Sequence, residues 1–288
     1  MKTLIFGAGG QVGRALQALA PAGNIITAID NDVLDLTDSA AIAPYIRTVA
    51  PDLIINASGY TAVDKAESES DLSYAINATA PGAMAQAATE IGARFIHIST
   101  DFVFDGKTHL PYPPDAPTIP LSVYGASKAA GEASVAAAGG NALTVRTAWV
   151  YSAGGANFVN TMLNLMASRD QLSVVADQIG TPTHADSLAR ALWALAATDH
   201  KGIVHFTDAG VASWYDFAVG IYDLGTAAGL LDSAVRINPI PSTAYPTPAA
   251  RPHYSVLDKS VTWSLLGYTA DHWRHELAAM MMKKRTTS

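Results

Sequence analysis

Five short, almost continuously apolar runs divide the first half of the chain: KTLIFG (2–7), NIITAID (24–30), DLIINAS (52–58), RFIHIST (94–100) and ALTVRTAWVY (142–151). Alanine-rich stretches with helical spacing lie between them, near 11–20, 38–49, 71–92 and 122–138. A strand that is apolar at nearly every position is buried on both faces, and strands separated by helices pair in parallel. With 288 residues, 49% hydrophobic and only 15% charged, the chain has enough apolar surface for such a core.

The pattern changes after Tyr151. Helical segments (NFVNTMLNLMASRD, HADSLARALWALAATD and SWYDFAVGIYDLGTAAGLLD) surround short extended pieces such as LSVV and GIVHF. A proline-rich loop at 237–252, INPIPSTAYPTPAARP, precedes the last helices and is long enough to close over a ligand. The expected fold class is α/β: a doubly wound parallel Rossmann-type sheet with a smaller C-terminal α/β substrate lobe. Residues 1–151 are expected to form the dinucleotide-binding domain, and 152–288 mainly the substrate-binding lobe, with the option of returning one strand to the main sheet.

The first run leads straight into GAGGQVG, which sets Gly7, Gly10 and Gly13, with Gly9 as an extra, between the first strand and the first helix. Such a turn needs residues that tolerate positive φ, and a pyrophosphate needs backbone without a Cβ in its way. The helix N-terminus then adds free N–H donors. A glycine triplet alone serves equally as a bare turn. The order strand, turn, helix, strand, acid argues for a dinucleotide, because Asp30 closes the second strand where a carboxylate holds an adenosine ribose. That carboxylate repels a 2′-phosphate, and Arg14 is the basic residue nearest in sequence. NADH or dual use is favoured over strict NADPH dependence.

VYGASKAAGE places Tyr124 and Lys128 four residues apart, on one face of a predicted helix. A free tyrosine, with a pKa near ~10, exchanges protons poorly at neutral pH, and a neighbouring ammonium is expected to lower it by stabilising the phenolate. HISTDFVF ends its strand at Thr100, where a doubly wound sheet presents ligands, and a hydroxyl there can donate to a substrate carbonyl. Thr100, Tyr124 and Lys128 are the candidate catalytic residues.

These stretches resemble the extended short-chain dehydrogenase/reductase superfamily, and within it the dTDP-4-dehydrorhamnose reductase family. The likeness runs through FGAGGQVG, NASGYTAVDKAESE, STDFVFDG, VYGASKAAGE, RTAWVY, NF, DQIGTPT and AYPTPAARP, nearly the whole chain. The glycine turn and the Tyr–Lys pair belong to the superfamily at large, whereas TAVDKAE, RTAWVY and YPTPAARP are particular to the reductases. The resemblance implies hydride transfer from NADPH or NADH to the 4-keto carbon of dTDP-4-dehydro-L-rhamnose. Tyr124 would be the proton donor, Lys128 would tune it and hold the nicotinamide ribose, and Thr100 would polarise the ketone. It also implies that Gly7, Gly10, Gln11, Val12 and Gly13 meet the pyrophosphate, Asp30, Asp35 and Leu36 the adenosine end, and Gly59, Tyr60 and Thr61 the loop after the third strand. Asp101 and Trp149 match positions associated with the sugar, Asn157 joins the substrate set, and Arg251 falls in the loop expected near the nucleotide diphosphate. Some members hold magnesium through glutamates at a dimer contact. Here Ala15 stands at the first such position, the tail MMMKKRTTS has no acid, and Asp186 alone remains, so no metal is expected. A monomer and a homodimer both stay open.

The other readings are plainer. A formal charge of −7 argues against nucleic acid or an anionic membrane as main partner, and the lack of cysteine removes disulfides and thiolate chemistry. No signal peptide or membrane span is apparent, which leads to the expectation of a soluble, cytoplasmic protein. His97 reads as a satisfied interior histidine, His272 and His275 as a solvated face, and the three methionines near the end as helix packing. Trp149 taken by itself reads as core. An epimerase with recycled NAD and a non-catalytic regulatory subunit are the alternatives. The Thr–Asp–Phe order at 100–102 lacks the glutamate a dehydratase needs, and the intact Thr–Tyr–Lys set speaks for an enzyme.

Overall fold

Alternation of side chains along the strands decides the architecture. In the computed structural model, which describes residues 1–232 and 234–287, the five apolar runs contain β1 (Lys2–Phe6), β2 (Ile25–Ile29), β3 (Leu53–Asn56), β4 (Arg94–Thr100) and β5 (Asn141–Thr147). Their connections carry α1 (Gln11–Ala18), α2 (Ser39–Val49), α3 (Val63–Ala66), α4 (Ser70–Tyr74), α5 (Ala80–Ile91) and α6 (Val123–Ala138). The single helix expected near 71–92 is broken by a wide π turn at Ala75–Thr79, which joins α4 to α5. The second half adds β6 (Val150–Tyr151), α7 (Phe158–Met166), β7 (Gln171–Val175), β8 (Ile179–Gly180), β9 (Thr183–His184) and α8 (Ala185–Ala196). Beyond them come β10 (Gly202–His205), β11 (Ala212–Ser213), α9 (Trp214–Ala227), β12 (Arg236–Ile240), α10 (Ser260–Leu266) and α11 (Trp273–Thr287).

Among the described residues six strands form a parallel sheet in the order β2-β1-β3-β4-β5-β10. Leu53 and Ile55 of β3 join Ile5, Ile96, Leu143 and Val145 on the face covered by α1 and α8. Ile54, between them, joins Leu4, Phe6 and Phe95 on the opposite face, under α2 and α5. Each such side chain contributes about 1.5–3 kcal/mol on burial, and three of the four residues of β3 are apolar and buried. The chain runs from β1 outward to β2, then crosses to β3 on the other side of β1, which places the switch point of the doubly wound sheet between β1 and β3.

A second core forms where α7, α9 and α11 pack around β7. It contains Val159, Met162, Leu172, Phe217, Ile221 and Leu277, and Met280 and Met281 of the methionine run are buried in it. The proline-rich stretch is not all loop. Its first residues are β12, which pairs in parallel with β7, with Pro239 opposite Val174. A proline is tolerated there because a two-stranded sheet leaves each strand an open edge. The run expected as one strand over 142–151 also divides. Trp149 takes φ +48, a left-handed conformation that bulky residues rarely adopt, and the bend sends β6 away to pair with β9.

One buried ion pair braces the sheet to α6. Arg146 of β5 donates from Nε and Nη2 to the two carboxylate oxygens of Glu132, at 2.8 and 2.6 Å, and Ser99 of β4 donates to Glu132 Oε1 at 2.6 Å. The guanidinium also lies over the Phe104 ring, 4.9 Å from its centre. Removing one partner strands a charge in the core. Glu132→Leu is therefore expected to lose about 3–5 kcal/mol of stability in urea unfolding, and Glu132→Gln, which still accepts from Arg146 and Ser99, less.

Candidate active site

The glycine turn lies where the sheet changes direction. Gly7, at φ +82, abuts the end of β3, and a Cβ on Gly13 would fall 1.9 Å from the Gly7 carbonyl oxygen. Only glycine lets α1 start this close to the turn. Gly10 caps α1 without any side-chain hydrogen bond, and no acidic residue occupies the first turn. Those N–H groups therefore face the cleft free for an anion. The cleft measures about 980 Å³ and runs from Asp30 and Leu36 past Gly7, Gly10, Gln11 and Val12 to Thr100, Tyr124, Lys128, Trp149 and Arg251. Gly59 and Thr61 line it as well. Asp30 Oδ2 accepts from the Gly9 N–H at 2.6 Å, which ties the end of β2 to the turn.

Five expected residues are not among those lining the cleft. Gly13 packs inside the turn. Asp35 closes a local turn by accepting from the backbone and hydroxyl of Thr37, at 2.9 and 2.8 Å. The Tyr60 phenol donates to Glu69, while its backbone N–H donates to Asn77 Oδ1 at 2.9 Å. Asp101 is buried beneath Thr100. Asn157 caps α7 and donates from Nδ2 to Gln11 Oε1 at 2.9 Å, so it ties the lobe to the glycine turn.

Tyr124 and Lys128 project from the first turns of α6. Ser122 caps that helix, and Gly125 lets it sit on the short turn Asp101–Val103, where a Cβ would meet the Phe102 carbonyl oxygen at 2.2 Å. Lys128 is buried and donates to the Ile98 carbonyl at 2.6 Å. Burial pushes its ammonium down to about 8, against the opposing charge of Glu132. Burial likewise pushes the Tyr124 phenol up to about 12, with a hydrogen bond to Thr100 opposing the rise and the Asp101 charge adding to it. The lowering expected from Lys128 does not figure among the influences on the phenol, and desolvation is the largest of those that do. Thr100 donates its hydroxyl proton to Asp101 Oδ1 at 3.0 Å; the same proton, turned to the phenolate, is what opposes the rise at Tyr124. Donating to a ketone requires Thr100 to release Asp101, whose carboxyl burial raises to about 6.

Two features were not assigned from sequence. Trp214 stacks flat on Trp149, with ring centres 3.6 Å apart, and both indoles line the cleft. Asp64, inside TAVDKAE, holds Arg251 in a two-pronged pair at 3.0 and 2.9 Å and also accepts from the Ala249 N–H. Motif particularity was the available signal, since TAVDKAE and YPTPAARP, quoted separately, meet here. The magnesium set implied by the resemblance does not fit. Asp186 pairs with Lys283 at 3.3 Å, and among the described residues no three His, Asp or Glu side chains converge on a metal-sized site.

The family model for the RmlD substrate binding domain matches residues 1–286. The dTDP-4-dehydrorhamnose reductase of Escherichia coli (strain K12) is 40% identical, over all of this chain and 99% of that protein. The chain belongs to the dTDP-4-dehydrorhamnose reductase family. The family's Burkholderia thailandensis member is 42% identical over 96% of each chain. Among solved structures, the Bacillus anthracis reductase in complex with NADP superposes with a TM-score of 0.92 at 35% identity, covering 98% of this chain and 99% of that one. A UDP-glucose 4-epimerase from Thermotoga maritima, 15% identical with a TM-score of 0.84, shares the fold.

The Asp64–Arg251 pair ties the loop before α10 to the segment after β3, across the mouth of the cleft. Asp64→Ala is expected to speed proteolytic cutting within 242–252 several-fold. Because the pair is partly exposed, at 41% and 23%, global stability should fall by no more than about 1 kcal/mol. Limited proteolysis beside thermal unfolding separates the two effects.

Proposed function

We propose that this protein reduces dTDP-4-dehydro-L-rhamnose to dTDP-L-rhamnose with NADPH or NADH, as a cytoplasmic enzyme of dTDP-rhamnose biosynthesis. The observation that carries the reading is one cleft at the sheet's switch point, lined by the glycine turn at one end and by Thr100, Tyr124 and Lys128 at the other. The names of the full-length relatives supply the sugar nucleotide. Residues 1–151 are read as holding mainly the dinucleotide and 152–288 mainly the sugar nucleotide.

The residues present fit the dinucleotide. Gly7 and Gly10 offer a turn without a Cβ, the free N–H donors at the start of α1 would take the pyrophosphate, Asp30 and Leu36 would hold the adenosine end, and Lys128 would hold the nicotinamide ribose. When bound, the reduced nicotinamide supplies the hydride for the 4-keto carbon. Tyr124 then gives its phenolic proton to the alkoxide oxygen. A phenol held near 12 stays protonated at neutral pH and remains a far stronger acid than the alcohol it creates, so the transfer runs downhill. Thr100 aligns that phenol in the free protein and turns to the ketone oxygen as the substrate enters. Trp149, Trp214 and Arg251 are read as the sugar-nucleotide side, with Arg251 exchanging Asp64 for a phosphate.

Tyr124→Phe should lose about 10²–10⁴-fold in turnover while still binding nicotinamide, read by loss of reduced-nicotinamide absorbance and by cofactor fluorescence. Near-normal turnover would remove Tyr124 as the acid. Asp30→Ala should ease NADPH use relative to NADH, measured as the ratio of kcat/KM values. An unchanged ratio would mean that Asp30 does not face the ribose.

A further inference from the structure

His97 is a fully buried histidine on β4 that the hydride-transfer reading leaves without a task. Its neighbours determine which ring nitrogen carries the proton. Ser58 donates to Asn56 Oδ1 twice, from its backbone N–H at 3.1 Å and from its hydroxyl at 2.6 Å. Asn56 therefore turns its amide nitrogen to the ring, with Nδ2 lying 3.1 Å from His97 Nδ1. An amide nitrogen only donates, so Nδ1 accepts, and the proton of the neutral imidazole sits on Nε2. Nε2 in turn faces Lys128 Nζ at 3.5 Å.

We infer that His97 is a positioning residue for the reduction: its Nε2–H, fixed by Asn56 and Ser58, is held against the Lys128 nitrogen and sets the pH at which Lys128 gives up its proton. A free amine accepts that N–H with its lone pair while donating to the Ile98 carbonyl at 2.6 Å. An ammonium keeps the carbonyl but brings N–H against N–H. His97 cannot relieve the conflict by taking a second proton, because that proton would point at the Asn56 amide. Burial and the Lys128 charge hold the imidazole well below its usual range. Glu132 on the same helix, itself held by Arg146 of β5, acts in the opposite sense by favouring the ammonium, and Tyr124 and Thr100 line the cleft beside it. The lysine thus stands between a carboxylate that favours its charge and an imidazole N–H that opposes it.

The kinetic half of the inference rests on the reductase reading; the tautomer does not. ¹⁵N NMR of histidine-labelled protein, with the His97 signals assigned by their loss in His97→Gln, should show Nδ1 bare and Nε2 protonated down to the pH of unfolding. A proton on Nδ1 overturns the inference. In kinetics, the alkaline limb of kcat/KM for the sugar nucleotide, where Lys128 loses its proton, should move up by about one pH unit in His97→Leu. It should stay in place in His97→Gln, whose amide reproduces both the acceptor toward Asn56 and the donor toward Lys128. A limb that moves in neither variant, or equally in both, overturns the inference. If His97→Leu does not fold, the His97→Gln limb and the NMR assignment still decide, since a shifted limb in His97→Gln contradicts the polarity argued here. A wild-type protein that leaves dTDP-4-dehydrorhamnose unreduced would sink the functional reading while the tautomer remains open to the NMR test.

Discussion

Everything in this molecule depends on the divergence of two chain crossings at the carboxyl ends of β1 and β3. One crossing leaves β1 for β2 and the other leaves β3 for β4, in opposite directions, so no connection covers the gap between them. The gap is lined by backbone rather than by side chains. Gly7 meets the end of β3 at a distance no Cβ permits, and α1 begins immediately beyond it. A packed core beneath and bare peptide above are complementary demands. The strands must be apolar on both faces to hold the sheet, and the turns that leave them must be nearly free of side chains to receive an anion.

Beneath the other end of the cleft the protein works by desolvation. Lys128 and the Tyr124 phenol are taken out of water, and burial drives each toward its uncharged form. The groups that resist, Glu132 and Thr100, are themselves fixed by Arg146 and Asp101. The neutral tyrosine and the easily deprotonated lysine therefore follow from packing α6 against β4. A side chain that loosened that contact would admit water and restore ordinary acidities, even if it touched no reacting atom.

Much of this was legible in the residues, for reasons that differ from element to element. Leu4–Phe6 of β1 and Leu53–Ile55 of β3 are apolar at consecutive positions because both faces are covered, and this pattern needs no long-range information. The Tyr–Lys spacing is a property of one helix. Asp64 and Arg251 are 187 positions apart, and nothing local says that they meet. The bend at Trp149 was hidden by a run of strand-forming residues, and the ring it stacks on, Trp214, lies in the lobe, far off in sequence. β12 was masked by its prolines, which an open edge accepts. Asp35, Tyr60 and Asn157, carried over by resemblance, sit in local turns and ties beside the cleft, where spacing alone cannot separate lining from support. His97 was read as an interior histidine. What that reading lacked was the direction of the Asn56 amide, which only the coordinates of Ser58 reveal.

The path of α8 and β10 has a consequence for how such a chain is made. α8 shares one face of the sheet with α1 and β10 pairs along β5, yet both are encoded after β6, α7, β7, β8 and β9. On the ribosome, β1 to β5 therefore emerge with that face covered by Ala15 and Leu16 of α1 alone, and it closes only when Leu188, Leu192 and Trp193 arrive. Vectorial synthesis leaves an intermediate with exposed apolar surface, the kind of species that is prone to aggregate. The amino-terminal half is first in the gene but cannot be first to finish folding.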